Sequence, residues 1–147
     1  MKNILIAERE NETADFLESN IKTILKSKSI DALIQKVHSP EEAIEELHAD
    51  HSSPMISAGK VTRTREYDLV ISSSFYEVNK ADGDLLRGID LWKGAPIRYS
   101  KKFMFHTGVP NEHMQNLIQK THNAYVPTIE KYNVEQLQAA IKQHFRI

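Results

Sequence analysis

The chain has 147 residues, with 19 Lys and Arg against 20 Asp and Glu, a net charge of −1 and no cysteine. That length implies one domain, residues 1–147, able to bury a full core, and the missing cysteines exclude a disulfide framework, thiolate chemistry and a cysteine zinc site. Balanced charge argues against a nucleic-acid or membrane-surface binder, no apolar run nears the roughly 18 residues of a span, and MKNILIAERE lacks a secretory leader pattern, so a cytoplasmic protein is expected.

Residues 3–7 (NILIA) read as a buried first strand, stopped by Glu8, Arg9 and Glu10. Asn11 is placed to cap a helix whose stripe is Leu17, Ile21, Ile24 and Leu25. Residues 32–38 (ALIQKVH) form a second strand, and their mixed polarity suggests a sheet edge. Ser39-Pro40-Glu41-Glu42 then gives a capping serine, a proline at the first helical position and a glutamate three after the cap. Ala43, Ile44 and Leu47 face inward on that helix. From 48 to 66 the periodicity disappears. A long surface loop is expected there, with room for a short hairpin; HADH within it is too sparse to read as a metal site.

Residues 67–74 (YDLVISSS) are the centre of the chain. An apolar run of this length reads as a strand buried on both faces, and it delivers serines to its end. A second long connection covers 75–84. A helix follows with Leu85, Leu86, Ile89, Leu91 and Trp92 inward, starting at Asp84 or as late as Gly88. Residues 102–107 (KFMFHT) form the fourth strand. Asn111 caps a helix with Met114, Leu117 and Ile118 inward, ended by Asn123. Residues 124–127 (AYVP) are expected as a short fifth strand. Asn133 caps the last helix, with Gln136 in the capping-box position, Tyr132 and Leu137 at staple spacing, and a stripe of Val134, Leu137, Ile141 and Phe145. Five strands alternating with five helices predict a three-layer α/β sandwich around a parallel sheet, in the flavodoxin-like order 2-1-3-4-5.

The chain resembles the receiver domain of bacterial two-component response regulators. ILIAERE is similar to the first strand with its acidic pocket, DLVISS to the strand that ends at the phosphorylated aspartate, and GIDLWK to the helix after it. FMFHTG resembles the fourth strand with its hydroxyl residue, and AYVPTI the fifth with its aromatic switch. The resemblance puts Glu8 and Arg9 where two acids would hold magnesium, Ser73 at the phosphoacceptor, Thr107 at the hydroxyl position, Tyr125 at the switch, Thr128 at the lysine and Ile129 at the proline after it.

Receiver chemistry needs a carboxylate nucleophile, a divalent cation and a fixed positive side chain. Ser73 is a poor nucleophile without a base, and no histidine is evidently placed to help. Arg9 puts a positive charge at the ion position, where Glu8 would pair with it instead of holding magnesium. The expectation is therefore a degenerate receiver, a pseudo-receiver: a regulatory protein with no catalytic residue, no cofactor, weak or absent magnesium binding and no aspartyl phosphorylation. The chain stops after the last helix, so no output domain is expected on it. By the resemblance it would work through a protein partner or self-association, on the face of the fourth helix, fifth strand and fifth helix. That face offers His113, Asn116, Lys120, Tyr125, Lys131, Glu135 and Gln138. Loops 48–66 and 75–84 are further contact surfaces. The alternative is a small-ligand or anion-binding protein, or a minor enzyme, that reuses the pocket of Glu8, Ser73, Thr107 and Thr128. A flavin site is disfavoured, because ERENETA brings three glutamates to where a phosphate would lie, and no glycine-rich phosphate loop is present.

Overall fold

Strand β1 (Lys2–Ala7) alternates its side chains between two cores, as the period of two demands. Ile4 and Ile6 join one apolar cluster and Leu5 and Ala7 the other, all fully buried. The same division runs through β5 (Leu69–Ser72) and β8 (Phe103–Thr107), whose every residue is buried. Leu69, Ile71 and Met104 lie on the side of Ile4; Val70, Phe103 and Phe105 lie on the side of Leu5. This computed structural model describes residues 1–49, 54–57, 60–63, 66–77, 85–122 and 125–147.

With β2 (Ala32–Val37) and β9 (Thr128–Glu130), these strands form one parallel sheet in the order β2-β1-β5-β8-β9. Counted along the chain, that is the order 2-1-3-4-5 of the flavodoxin-like fold. β2 lies at an edge with alternating exposure, as its mixed polarity suggests. Helices α1 (Asn11–Lys26) and α5 (Val134–Phe145) cover the Ile4 side through Leu17, Ile21, Leu137 and Ile141. Helices α2 (Pro40–His48), α3 (Arg87–Gly94) and α4 (Asn111–His122) cover the other through Leu47, Trp92 and Met114. Among the described residues, no helix is long and apolar enough to cross a membrane.

Between α2 and β5, β3 (Pro54–Ser57) pairs antiparallel with β4 (Lys60–Arg63), a hairpin inside the long connection. A second small ribbon pairs β6 (Tyr76–Glu77) with β7 (Leu85–Leu86).

The helix starts follow local chemistry with several corrections. Ser39 caps α2 as expected, its Oγ accepting the Glu42 amide at 3.1 Å. Asn11 is not a cap; Glu10 precedes the helix and Asn11 is its first residue. Asn111 likewise lies inside α4, whose Met114 amide donates to Pro110 O. Asn133 caps α5 through the Gln136 amide at 3.0 Å. The Gln136 side chain, however, turns to the Glu130 amide instead of closing the capping box. Val134 is 42% exposed and leaves the apolar stripe. Leu85 and Leu86 belong to β7, and α3 starts at Arg87. Asp84, Asn123 and Ala124 lie outside the described residues.

The fifth sheet strand is the largest correction. It is β9, residues Thr128–Glu130, and not the AYVP run before it. Pro127 cannot donate to a ladder, so it contributes only its carbonyl, which accepts the Phe105 amide at 2.9 Å.

Candidate functional site

Strand register builds the site. Ala7 stands opposite Ser72, Ser72 opposite Phe105 and Thr107 opposite Glu130, so the parallel strands all end on one side of the molecule. The residues that leave those ends are Glu8 from β1, Ser73 from β5, Gly108 from β8 and Lys131 from β9. Two backbone bonds fix the level: Ser73 N donates to Ala7 O at 2.8 Å and Lys131 N to Thr107 O at 3.0 Å. Ligands of open α/β sheets bind at this end. Here it holds a recess of about 650 Å³ lined by Glu8, Arg9, Glu10, Ser73, Ser74, Phe75, Tyr76, His106, Thr107, Gly108, Val109, Pro110, His113 and Lys131.

The three serines are tied into the strand end. Ser72 Oγ donates to Ser73 O at 2.8 Å, and Ser73 Oγ accepts the Phe75 amide at 3.1 Å. Ser74 Oγ accepts from Thr107 Oγ1 at 2.7 Å, while Thr107 Oγ1 accepts the Val109 amide at 3.0 Å. Phe75 is buried with φ of 48°, a left-handed conformation that a large side chain adopts only under constraint from its surroundings. The constraint comes partly from α3. A Cβ on Gly88 would meet Ser73 O at 2.3 Å, and the Gly88 amide donates to Ser74 O at 2.8 Å. Only glycine lets the helix start this close to the serine turn.

Charge at the recess comes in opposed pairs. Glu8 is buried, and loss of solvation pushes its carboxyl up from the usual carboxylate range. The Glu10 amide, 3.3 Å from Oε1, the Lys131 charge and a hydrogen bond with Ser73 hold it down, while the Glu10 carboxylate opposes them. Lys131 Nζ lies 3.6 Å from Glu10 Oε2. Arg9 has its guanidinium 5.9 Å from the Phe75 ring centre, a cation–π distance. The expected pairing of Glu8 with Arg9 is thus replaced: the cation that acts on Glu8 is Lys131.

His106 is buried in the wall of the recess beside Phe16 and Tyr132. Its Nε2 accepts the Tyr132 amide at 3.0 Å, so in the neutral ring the proton is on Nδ1, which has no hydrogen-bond partner among the described residues. Burial, then the positive Lys131, pushes the imidazole down to about 4.

Of the residues singled out from the sequence, Glu8, Arg9, Ser73 and Thr107 come together in the recess. Thr128 does not. It starts β9, and its Oγ1 accepts from Gln115 Nε2 at 3.1 Å. With Tyr125 it lines a second groove, against α5. Tyr125 is 73% exposed there, apart from the Thr107 recess, so the two do not face each other across one pocket. His113 and Lys131, placed by sequence on the partner face, line the recess instead. Asn116, Tyr125, Glu135 and Gln138 are exposed, and the Lys120 side chain lies outside the described residues. Sequence reading missed Lys131 and His106 as residues of the recess. The signal for Lys131 was present: a β-branched pair after Pro127, then a lysine at the strand's end.

The donor set is unlike a magnesium cage. Hard divalent cations take clustered carboxylate oxygens. Here a serine hydroxyl, a desolvated glutamate and a lysine-paired glutamate stand beside two cations. Among the described residues no group of three or more His, Cys, Asp or Glu could hold a metal ion.

No protein-family model matches the chain. No curated protein matches it either. Solved structures do. The phosphorylated cyanobacterial phytochrome response regulator RcpA is similar at a TM-score of 0.57 and 16% identity, over 97% of this chain and 89% of its own. A response regulator from Hahella chejuensis is similar at 0.56 and 14%, over 99% and 93%. An orphan response regulator of H. pylori is similar at 0.53 and 16%, over 99% and 97%. The chain therefore has the fold of response-regulator receiver domains, and at these identities the likeness is one of fold.

Proposed function

We propose that this protein is a receiver-like signalling module that acts by protein–protein contact and takes no aspartyl phosphate. The observation that supports this most is Ser73. It occupies the end of the central strand with a hydroxyl where the receiver reaction needs a carboxylate, and its Oγ accepts the Phe75 amide. The poor donor set for a divalent cation supports the same reading. Output would come from the β9 edge, where Tyr125, Asn116, Glu135 and Gln138 are open to solvent.

The test of the contact surface is recovery of a partner from extract of the native organism. Tyr125→Ala with Gln138→Ala should reduce that recovery at least tenfold, and pretreatment with an acyl phosphate should leave it unchanged. Equal recovery by the variant would remove the β9 edge from the account.

A further inference from the structure

The two ends of the sheet carry opposite charge. Each helix runs back from the recess end, so first helical turns gather round the recess and last turns gather where the strands begin. Short contacts bind that far end together: Lys2 N donates to Asp31 O at 2.9 Å, Val70 N donates to Lys102 O at 2.7 Å, and His144 Nε2 lies 2.9 Å from Asp68 O. Exposed there are Lys26, Lys28, Lys93, Arg98, Lys101 and Arg146; of these only Arg98 has an ion pair among the described residues, with Glu66 at 2.9 Å. Asp31, Glu66 and Asp68 do not balance them. At the recess end Glu12, Glu42, Glu112, Glu130 and Glu135 are exposed and without an ion pair among the described residues. Of the cations there, Arg87 and Lys131 are matched by Glu41 and Glu10, and Arg9 lies against the Phe75 ring. Helix dipoles favour acids in first turns and bases in last turns. Lys28, Arg98, Lys101 and Glu130 lie outside the α-helices, so the dipoles account for only part of this separation.

Each end also has an apolar centre. Ile97 is 90% exposed, more than any other large apolar side chain described. It stands on a 3₁₀ turn, Ile97–Tyr99, pinned by the fully buried Tyr99 and by Trp92 Nε1 donating to Ser100 O at 3.1 Å. Arg98 and Lys101 flank it, so it is an apolar knob in a positive field. The recess is the counterpart: a hollow of about 650 Å³ with Phe75, Tyr76, Val109 and Pro110 in its wall. Glu112 and Glu130 are the chain neighbours of its lining residues His113 and Lys131, so its surroundings are negative. Complementary fields steer an encounter and fix its register, and an apolar anchor in a pocket holds it.

We infer that the basic end of one copy docks on the acidic end of the next, with Ile97 seated in the mouth of the recess, so that the chain self-associates head to tail. Two different surfaces meet in such a contact, and since they lie at opposite poles it does not close on two copies. The inference goes beyond the proposed contact at the β9 edge and does not depend on whether Ser73 takes a phosphoryl group.

The test is sedimentation equilibrium of the full chain over a concentration series in low and high salt. At about 0.02 M salt the mean mass should climb past that of a dimer as the concentration nears roughly 1 mM, and at about 0.5 M it should stay at the monomer value, because these charges are open to solvent. Ile97→Ser with Lys101→Gln removes one side of the contact, and Glu112→Gln with Glu130→Gln removes the other; all four positions are exposed. Each double variant alone should stay monomeric. An equal mixture of the two should form a dimer and nothing larger, since one intact end of each kind remains. A parent chain that stays monomeric at low salt, a parent that stops at the dimer, association undiminished in high salt, or a mixture that stays monomeric would overturn the inference. A monomer that floats with vesicles of phosphatidylglycerol would give the basic end to a lipid surface and overturn it equally. None of these outcomes alters the intact mass after acyl-phosphate treatment, so this inference and the proposed function fail separately.

Discussion

His106 shows how one side chain couples the fold to pH. The folded chain favours its neutral ring, because burial and Lys131 both oppose the charge. Its share of stability is therefore complete above the ordinary value of 6.5 and is lost as pH falls through about 4. At about 1.4 kcal/mol per pH unit, the loss approaches ~3 kcal/mol in acid. Urea denaturation between pH 7 and pH 4 should show that decline, and His106→Gln should flatten it. Parallel curves would mean that the ring does not titrate as its burial requires. Ser73 and Arg9 carry the chemical prediction at this scale. Ser73→Asp alone should gain no phosphoryl adduct, because Arg9 still stands where the resemblance to receivers would put an ion-holding acid. Ser73→Asp with Arg9→Asp and magnesium should gain one, since Lys131 already stands at the strand end. Intact mass after acyl-phosphate treatment reads both variants; an adduct on the single variant would show that Arg9 does not block the site.

At the scale of elements, the join of β5 to α3 leaves no room for a side chain at Gly88. Gly88→Ala drives a methyl into Ser73 O, which is backbone and cannot rotate away. The cost should be about 1–3 kcal/mol, seen as a lower urea midpoint, with perturbed amides at Ser73 and Ser74. A variant as stable as the parent would mean that the serine turn yields freely. The sequence marks Gly88 only as a weak helix residue, because the atom that requires glycine belongs to a strand fifteen positions earlier. The buried strands, by contrast, are legible: NILIA, LVIS and FMFHT are apolar runs that only a two-sided sheet can bury. The fifth strand is misplaced by one short step, since AYVP is more apolar than TIEK. Pro127 was the clue, as a proline opens a strand more readily than it ends one. That step moves Thr128 out of the site and Lys131 into it. His106 was hidden for another reason. Its burial depends on Phe16 and Tyr132, which arrive from distant parts of the chain.

For the whole molecule, alternation of strands and helices carries the order of the sheet, and the sheet carries the site to one end. What the architecture keeps is a recess with a lysine, a threonine and a glutamate at parallel strand ends. What it lacks is an acid on the central strand. The proposed mode of action, protein contact without an aspartyl phosphate, has a direct chemical check. The full chain is incubated with an excess of acetyl phosphate and magnesium and its intact mass measured. The account predicts a mass unchanged from the untreated protein; a phosphoryl adduct that is lost in both acid and base would contradict it.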